Sequence, residues 1–237
     1  MFLDPFFNPR NDGIHVSRQQ ASDFAKSMAD DFNPLHDIDA KRFCVPGDLL
    51  FALVLSKYGL SEKMSFNFSG MVGDDVTLHF PENNTGSIKV TDGAEKEFLS
   101  IESSGDTITD SDVITKLASN YVTFSGKNFP HVLVPLMAEQ NVMINPDRPL
   151  VMYQSMSINL NTLDFEEPVL EASQATLEVN GKRGHASLGF CIKASGEIIG
   201  EGVKRLVISG LREYEQDKID QLVTTYTDRK KLYQKNQ

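Results

Sequence analysis

Between residues 16 and 29, Ala21, Phe24, Ala25 and Met28 recur at intervals of three and four, a spacing that predicts an amphipathic helix. Ser17 stands at its start as an N-cap, and Gln20 lies three residues on, where a capping box needs it. The stripe stops at Asp30-Asp31-Phe32-Asn33-Pro34. Pro34 has no backbone donor and pushes Asn33 out of the α region, so the helix has to end there. A second helix is predicted from Gly47 through Lys57, with Gly59 placed to end it. Its run Leu49-Leu50-Phe51-Ala52-Leu53-Val54-Leu55 is apolar nearly all round, which marks a helix buried on most sides.

The period then changes from 3.6 to 2. Met64–Ser69 and Val76–Phe80 alternate apolar with polar residues around a Gly73-Asp74-Asp75 turn, the pattern of half-buried strands. Weaker strands are expected at Ser87–Thr91 and Glu97–Glu102, followed by a polar stretch, Ser103–Ser111, that reads as a linker. Beyond it the order recurs. A helical piece is expected at Asp112–Asn120 and a second buried helix at Phe129–Gln140. Four strands follow, at Leu150–Asn161, Pro168–Val179, His185–Lys193 and Ile198–Ser209. Phe43 and Phe129 head the two buried helices on this reading, a spacing that suggests a duplicated unit. Ile219, Leu222, Val223 and Tyr226 place a last helix on the outside, expected to fray from Asp228.

A buried helix wrapped by a curved antiparallel sheet is the hotdog arrangement, and two in one chain make a double hotdog. The expected fold class is therefore α+β, a double hotdog with a C-terminal helix. The expected divisions are an N-terminal hotdog over 1–105, a C-terminal hotdog over 106–210, and a helix and tail over 211–237.

Composition narrows the functional classes. The chain has 237 residues, 40% of them apolar, enough for a real core. Its net charge of −10, without a concentrated basic stripe, argues against nucleic acid or an anionic membrane as partner. Cys44 and Cys191 make no disulfide framework, and no Cys/His cluster offers a metal site. No run of about 18 apolar residues occurs, and the N-terminus lacks the layout of a signal peptide. A cytoplasmic setting is the expectation.

The candidate chemistry lies in Asp31-Phe-Asn-Pro-Leu-His36. Asp31 ends a helix, Asn33-Pro34 forces a turn, and His36 emerges from it pointing back. A carboxylate and an imidazole so placed can share a water: His36 takes a proton from it while Asp31 holds it, and a proton then returns to a neighbouring carbon. About eleven residues on, Gly47 opens the buried helix, whose free N–H groups suit a thioester oxygen that becomes an enolate. Gly47 also permits close approach to the backbone.

Asp-x-Asn-Pro-Leu-His, then an aromatic residue, a Gly and an apolar helix, resembles the MaoC-like or (R)-specific enoyl-CoA hydratases, over about residues 14–81. The resemblance implies reversible addition of water to a 2-enoyl thioester on CoA or acyl carrier protein; no metal or other cofactor is expected. It implies Asp31 and His36 as the catalytic pair, Asn33 as a brace for the motif, and the Gly47 amide as the group that polarises the thioester. It also implies the motif in one half only; a double hotdog by itself makes a monomer feasible and leaves a homodimer open. The chain departs from that pattern at Pro46 (usually His), at Ile38 (usually Asp), in the short Asp37–Arg42 loop, and at Asp48 beside Gly47 (usually apolar). Two further readings stay open: a non-catalytic acyl-CoA-binding or regulatory module, and a thioesterase using Asp48 or Glu139. His131, His79, His185, Cys44, Asp74-Asp75 and Gly181–Gly184 read more simply as structural than as functional positions.

Overall fold

The computed structural model describes residues 2–10, 13–82 and 86–235. A short hairpin, β1 (Asn8–Arg10) and β2 (Gly13–His15), precedes helix α1 (Arg18–Ser27). Ser17 and Gln20 form the expected capping box at the start of α1. Helix α2 (Gly47–Tyr58) follows, ended by Gly59 at φ 89°, a conformation open to glycine. Then come β3 (Leu60–Phe68), β4 (Thr77–Leu78), β5 (Ser87–Thr91) and β6 (Glu97–Ile108). Three helices, α3 (Ser111–Gly126), α4 (Asn128–His131) and α5 (Leu133–Glu139), lead to β7 (Val142–Met143) and β8 (Val151–Leu160). The chain ends with β9 (Val169–Asn180), β10 (Arg183–Ala194), β11 (Glu197–Ser209), β12 (Arg212–Glu213) and α6 (Gln216–Lys235).

The main sheet has seven antiparallel strands in the order β5-β6-β3-β8-β11-β10-β9. Its two halves meet where β3 pairs with β8, from Lys63 opposite Asn159 to Asn67 opposite Ser155. Helix α2 lies against the first half: Phe51 meets Phe66 of β3 edge to face, with ring centroids 5.1 Å apart. From Leu49 to Leu55 every α2 residue is buried. The double-hotdog α+β class is thereby borne out.

The second buried helix is a different segment from the one expected. Helix α3 lies beside α2, with Tyr121 4.6 Å from Phe51 and 5.6 Å from Phe190 of β10. Its buried residues Ile114, Leu117, Ala118, Tyr121, Val122 and Ser125 continue the 3.6-residue stripe well past Asn120. The Phe129–Gln140 segment is broken instead. Phe129 precedes Pro130 and takes an extended conformation (φ −108°, ψ 130°), so Phe129 cannot head a helix. Helix α5 buries only Leu133, Leu136 and Met137, over an apolar cluster with Leu177, Leu188, Leu206 and Ile208.

Two smaller expectations also change. The stretch expected as a linker continues β6 to Ile108, because Ser103, Ser104, Thr107 and Ile108 pair with β3. Helix α6 runs to Lys235 rather than fraying at Asp228. Its last turns are tied to the motif region, Arg229 to Asp37 at 2.7 Å and Lys230 to Asp30. No helix among the described residues is long and apolar enough to cross a membrane.

Candidate active site

The motif is built by a helix end and a 3₁₀ turn. After α1 the chain reverses at Asp30, which takes the left-handed conformation (φ 54°), and the Asp31 N–H donates back to the Ala25 carbonyl at 2.8 Å. One Asp31 carboxylate oxygen, Oδ1, accepts the Asn33 N–H at 2.9 Å. Asn33 in turn caps the Pro34–His36 turn, its Oδ1 accepting the Leu35 N–H at 3.1 Å. His36 Nδ1 lies 2.7 Å from the Cys44 carbonyl oxygen. A carbonyl only accepts, so Nδ1 carries a proton, and in the neutral ring Nε2 holds the lone pair. That Nε2 faces Asp31 Oδ2 at 3.8 Å, too far for a direct hydrogen bond and suited to a water held by both.

His36 keeps 12% of its side-chain surface accessible and Asp31 26%, and both line one cavity of about 660 Å³. Burial pushes the Asp31 carboxyl above the ordinary carboxylate range. His36, the Asn33 N–H and Lys204 oppose that shift, and the Asp48 charge adds to it. Burial also pushes the Cys44 thiol up to about 11, which leaves it protonated; Cys44 serves the site through its carbonyl.

Gly47 opens α2 on the wall of the same cavity. The N–H groups of a helix's first turn have no acceptor within the helix, so this end offers donors and the positive pole of the helix dipole. A Cβ at position 47 would come within 2.7 Å of Tyr153 Cδ1 and 3.3 Å of Phe68 Cε1. The glycine therefore makes room for two tilted rings, whose centroids are 4.5 Å apart. Gly47→Ala is expected to cost about 1–3 kcal/mol through overpacking, read as a lowered denaturant midpoint at unchanged slope.

Beside Gly47 sits a buried polar cluster that sequence reading had not assembled. Asp48 is 7% exposed, and its Oδ2 accepts the Ser125 hydroxyl at 2.6 Å. Lys204, 9% exposed, donates to Ser125 Oγ and lies 3.7 Å from Asp48 Oδ2. The ammonium is also 4.2 Å from the centroid of the Tyr153 ring, and the Tyr153 and Tyr121 hydroxyls are hydrogen-bonded to each other. Asp48 Oδ1 is buried without a hydrogen-bond donor among the described residues. Lys204 carried a readable signal: it shares the inward face of β11 with Gly202, Leu206 and Ile208, where a lysine breaks the alternation.

Helix α6 covers the motif from outside. The Tyr226 hydroxyl accepts the Phe32 N–H at 3.2 Å and donates to the Asp30 carbonyl at 3.3 Å, and Leu222, Tyr226 and Arg229 line the cavity. Other candidates lie elsewhere. Glu139 is exposed at the end of α5, and His131 and His185 are exposed as well. His79 forms an isolated bridge with Thr91, and Asp74 accepts from Arg18 at 2.7 Å. No group of three potential metal ligands occurs among the described residues.

The antiparallel sheet wrapped around buried helices defines a protein of the hotdog class. The family described as protein of unknown function (DUF3581) matches residues 1–217, and the chain belongs to that family. No curated protein matches the chain. Among solved structures it is similar to a conserved hot dog fold protein of unknown function from Alicyclobacillus acidocaldarius, with 8% identity over 88% of this chain and 98% of that one and a TM-score of 0.47. It is also similar to a MaoC-like dehydratase (9% identity, 86% and 98% covered, TM-score 0.45). A third is an acyl-CoA thioesterase II, TesB2, from Mycobacterium marinum (9% identity, 72% and 90% covered, TM-score 0.41).

Proposed function

We propose that the protein adds water to, or removes it from, a 2-enoyl thioester carried on CoA or an acyl carrier protein. The observation that carries this reading is the 3.8 Å approach of His36 Nε2 and Asp31 Oδ2 on the wall of a cavity that also contains the start of α2. In the hydration direction, His36 Nε2 takes a proton from the water while Asp31 holds its other hydrogen. The oxygen bonds to the β-carbon, and the alkene electrons move onto the thioester oxygen, where the Gly47 N–H meets the negative charge. The imidazolium then returns its proton to the α-carbon, so one water is added in full. Cavity walls such as Leu50, Leu133, Ile144 and Leu206 suit an acyl chain.

Hydration of crotonyl-CoA, or of medium- and long-chain enoyl-CoAs, followed by loss of the conjugated enoyl absorbance, tests the proposal. Binding of acyl-CoA without turnover of any of them would instead fit the non-catalytic acyl-binding reading. A second reading, thioester hydrolysis, is favoured by one observation: Asp48 puts a buried carboxylate on the cavity wall beside the start of α2. Release of free thiol from a saturated acyl-CoA, which has no double bond to hydrate, separates it from the first.

A further inference from the structure

We infer that Lys204 is a second electrophilic group of this site beside the Gly47 N–H: its ammonium meets the negative charge that develops on the thioester oxygen and offsets the charge of Asp48 beside it. The inference rests on the acyl-thioester reading above and adds a residue to it.

The start of α2 is poorly equipped by itself. Pro46 has no N–H, and its side chain donates no hydrogen bond. The next acidic group along, Asp48, is buried on the cavity wall, where a second negative charge on an enolate would be repelled. Lys204 reverses that balance. It comes from β11, in the other half of the sheet, and is held on the same wall by three contacts: the Ser125 hydroxyl, the Asp48 carboxylate at 3.7 Å, and the face of Tyr153 at 4.2 Å. The Tyr153 ring also fills the place a Cβ on Gly47 would take, so the ammonium and the opening residue of α2 lie beside one side chain. The bond to Ser125 engages one of three ammonium donors. A lysine buried only to stabilise the fold would not need to border a cavity of about 660 Å³ together with His36 and Asp31.

The test reads enolate formation directly, without turnover. Acetoacetyl-CoA carries an acidic α-hydrogen, and its enolate has its own ultraviolet band. On the wild-type protein, saturated with this ligand, the band should rise at least tenfold over free ligand at the same pH. Lys204→Arg should keep most of that rise. Lys204→Met and the charge-balanced pair Lys204→Met with Asp48→Asn should lose it while still binding the ligand, and the paired variant guards against a stranded Asp48 that unfolds the single one. An unchanged band in the paired variant, or ligand bound by the wild type without any band, overturns the role of Lys204. In either case enoyl-CoA hydration by the wild type would leave the proposed function standing. Failure of the wild type to bind any acyl thioester overturns both.

Discussion

His36→Ala should lower enoyl-thioester hydration by about 10²–10⁴-fold, the usual contribution of a positioned general base. The loss should fall on kcat, because the cavity walls that hold the acyl chain are untouched. Asp31→Asn should lower the rate to a similar extent, but its effect on stability has the opposite sign. Burial raises the folded-state pKa of Asp31, so between the ordinary carboxylate range and the raised value the folded protein binds more protons than the unfolded chain. Stability therefore falls as pH rises through that window, and at neutral pH the charged carboxylate is a cost. Asparagine keeps an acceptor for the Asn33 N–H and removes the charge. Asp31→Asn should thus melt at the same temperature as the wild type or higher at pH 7, and lose the advantage in acid. A thermal melt across pH beside the rate measurement checks both halves. A variant that loses activity because it unfolds would contradict the assignment of Asp31 to chemistry.

The largest loss of stability is expected at a position outside the catalytic pair. Gly126 ends α3 against the end of α1, where a methyl group would overlap the carbonyl of Ala29. Thr123, one turn earlier, holds the same corner through a hydrogen bond from its hydroxyl to the Met28 carbonyl at 3.1 Å. The obstacle to Gly126→Ala is backbone, which cannot rotate away, so the cost should reach or exceed the upper end of the ~1–3 kcal/mol typical of overpacking. Ala29 lies two residues before Asp31, so the shift that relieves the overlap also moves the carboxylate. Denaturant midpoint and hydration rate should therefore fall together. Gly93→Ala is the control: its nearest neighbour, His79 Nε2, would lie 3.7 Å from the new methyl, and little should change.

What could be read from the chain followed how local each signal was. The Ser17–Gln20 capping box, the helix from Gly47 to Gly59 and the strand Ser87–Thr91 depend on neighbours in sequence, and all stand where the pattern puts them. The turn that brings His36 back toward Asp31 was legible for the same reason, since Asn33 and Pro34 set it within six residues. The second buried helix was misplaced because Ser, Thr and Asn residues dilute the α3 stripe, while Phe129–Gln140 is apolar enough to look buried in spite of Pro130 and Pro135. The Asp48–Ser125–Lys204 cluster joins Asp48 to Ser125, 77 positions on, and Ser125 to Lys204, a further 79 on, through the packing of α2, α3 and β11. No spacing rule spans such a distance; of the three, Asp48 stands out in the sequence, as a carboxylate beside Gly47.

The seam between β3 and β8 has a bearing on how the protein behaves at low concentration. His36 and Asp31 come from one side of it, Lys204 and Tyr153 from the other, and a single polypeptide supplies both. Separate copies that shared a pocket in this way would come apart on dilution, and their specific activity would decline with protein concentration. Tethering replaces that second-order encounter with a fixed effective molarity. Rate per mole of chain should therefore stay constant down to nanomolar enzyme.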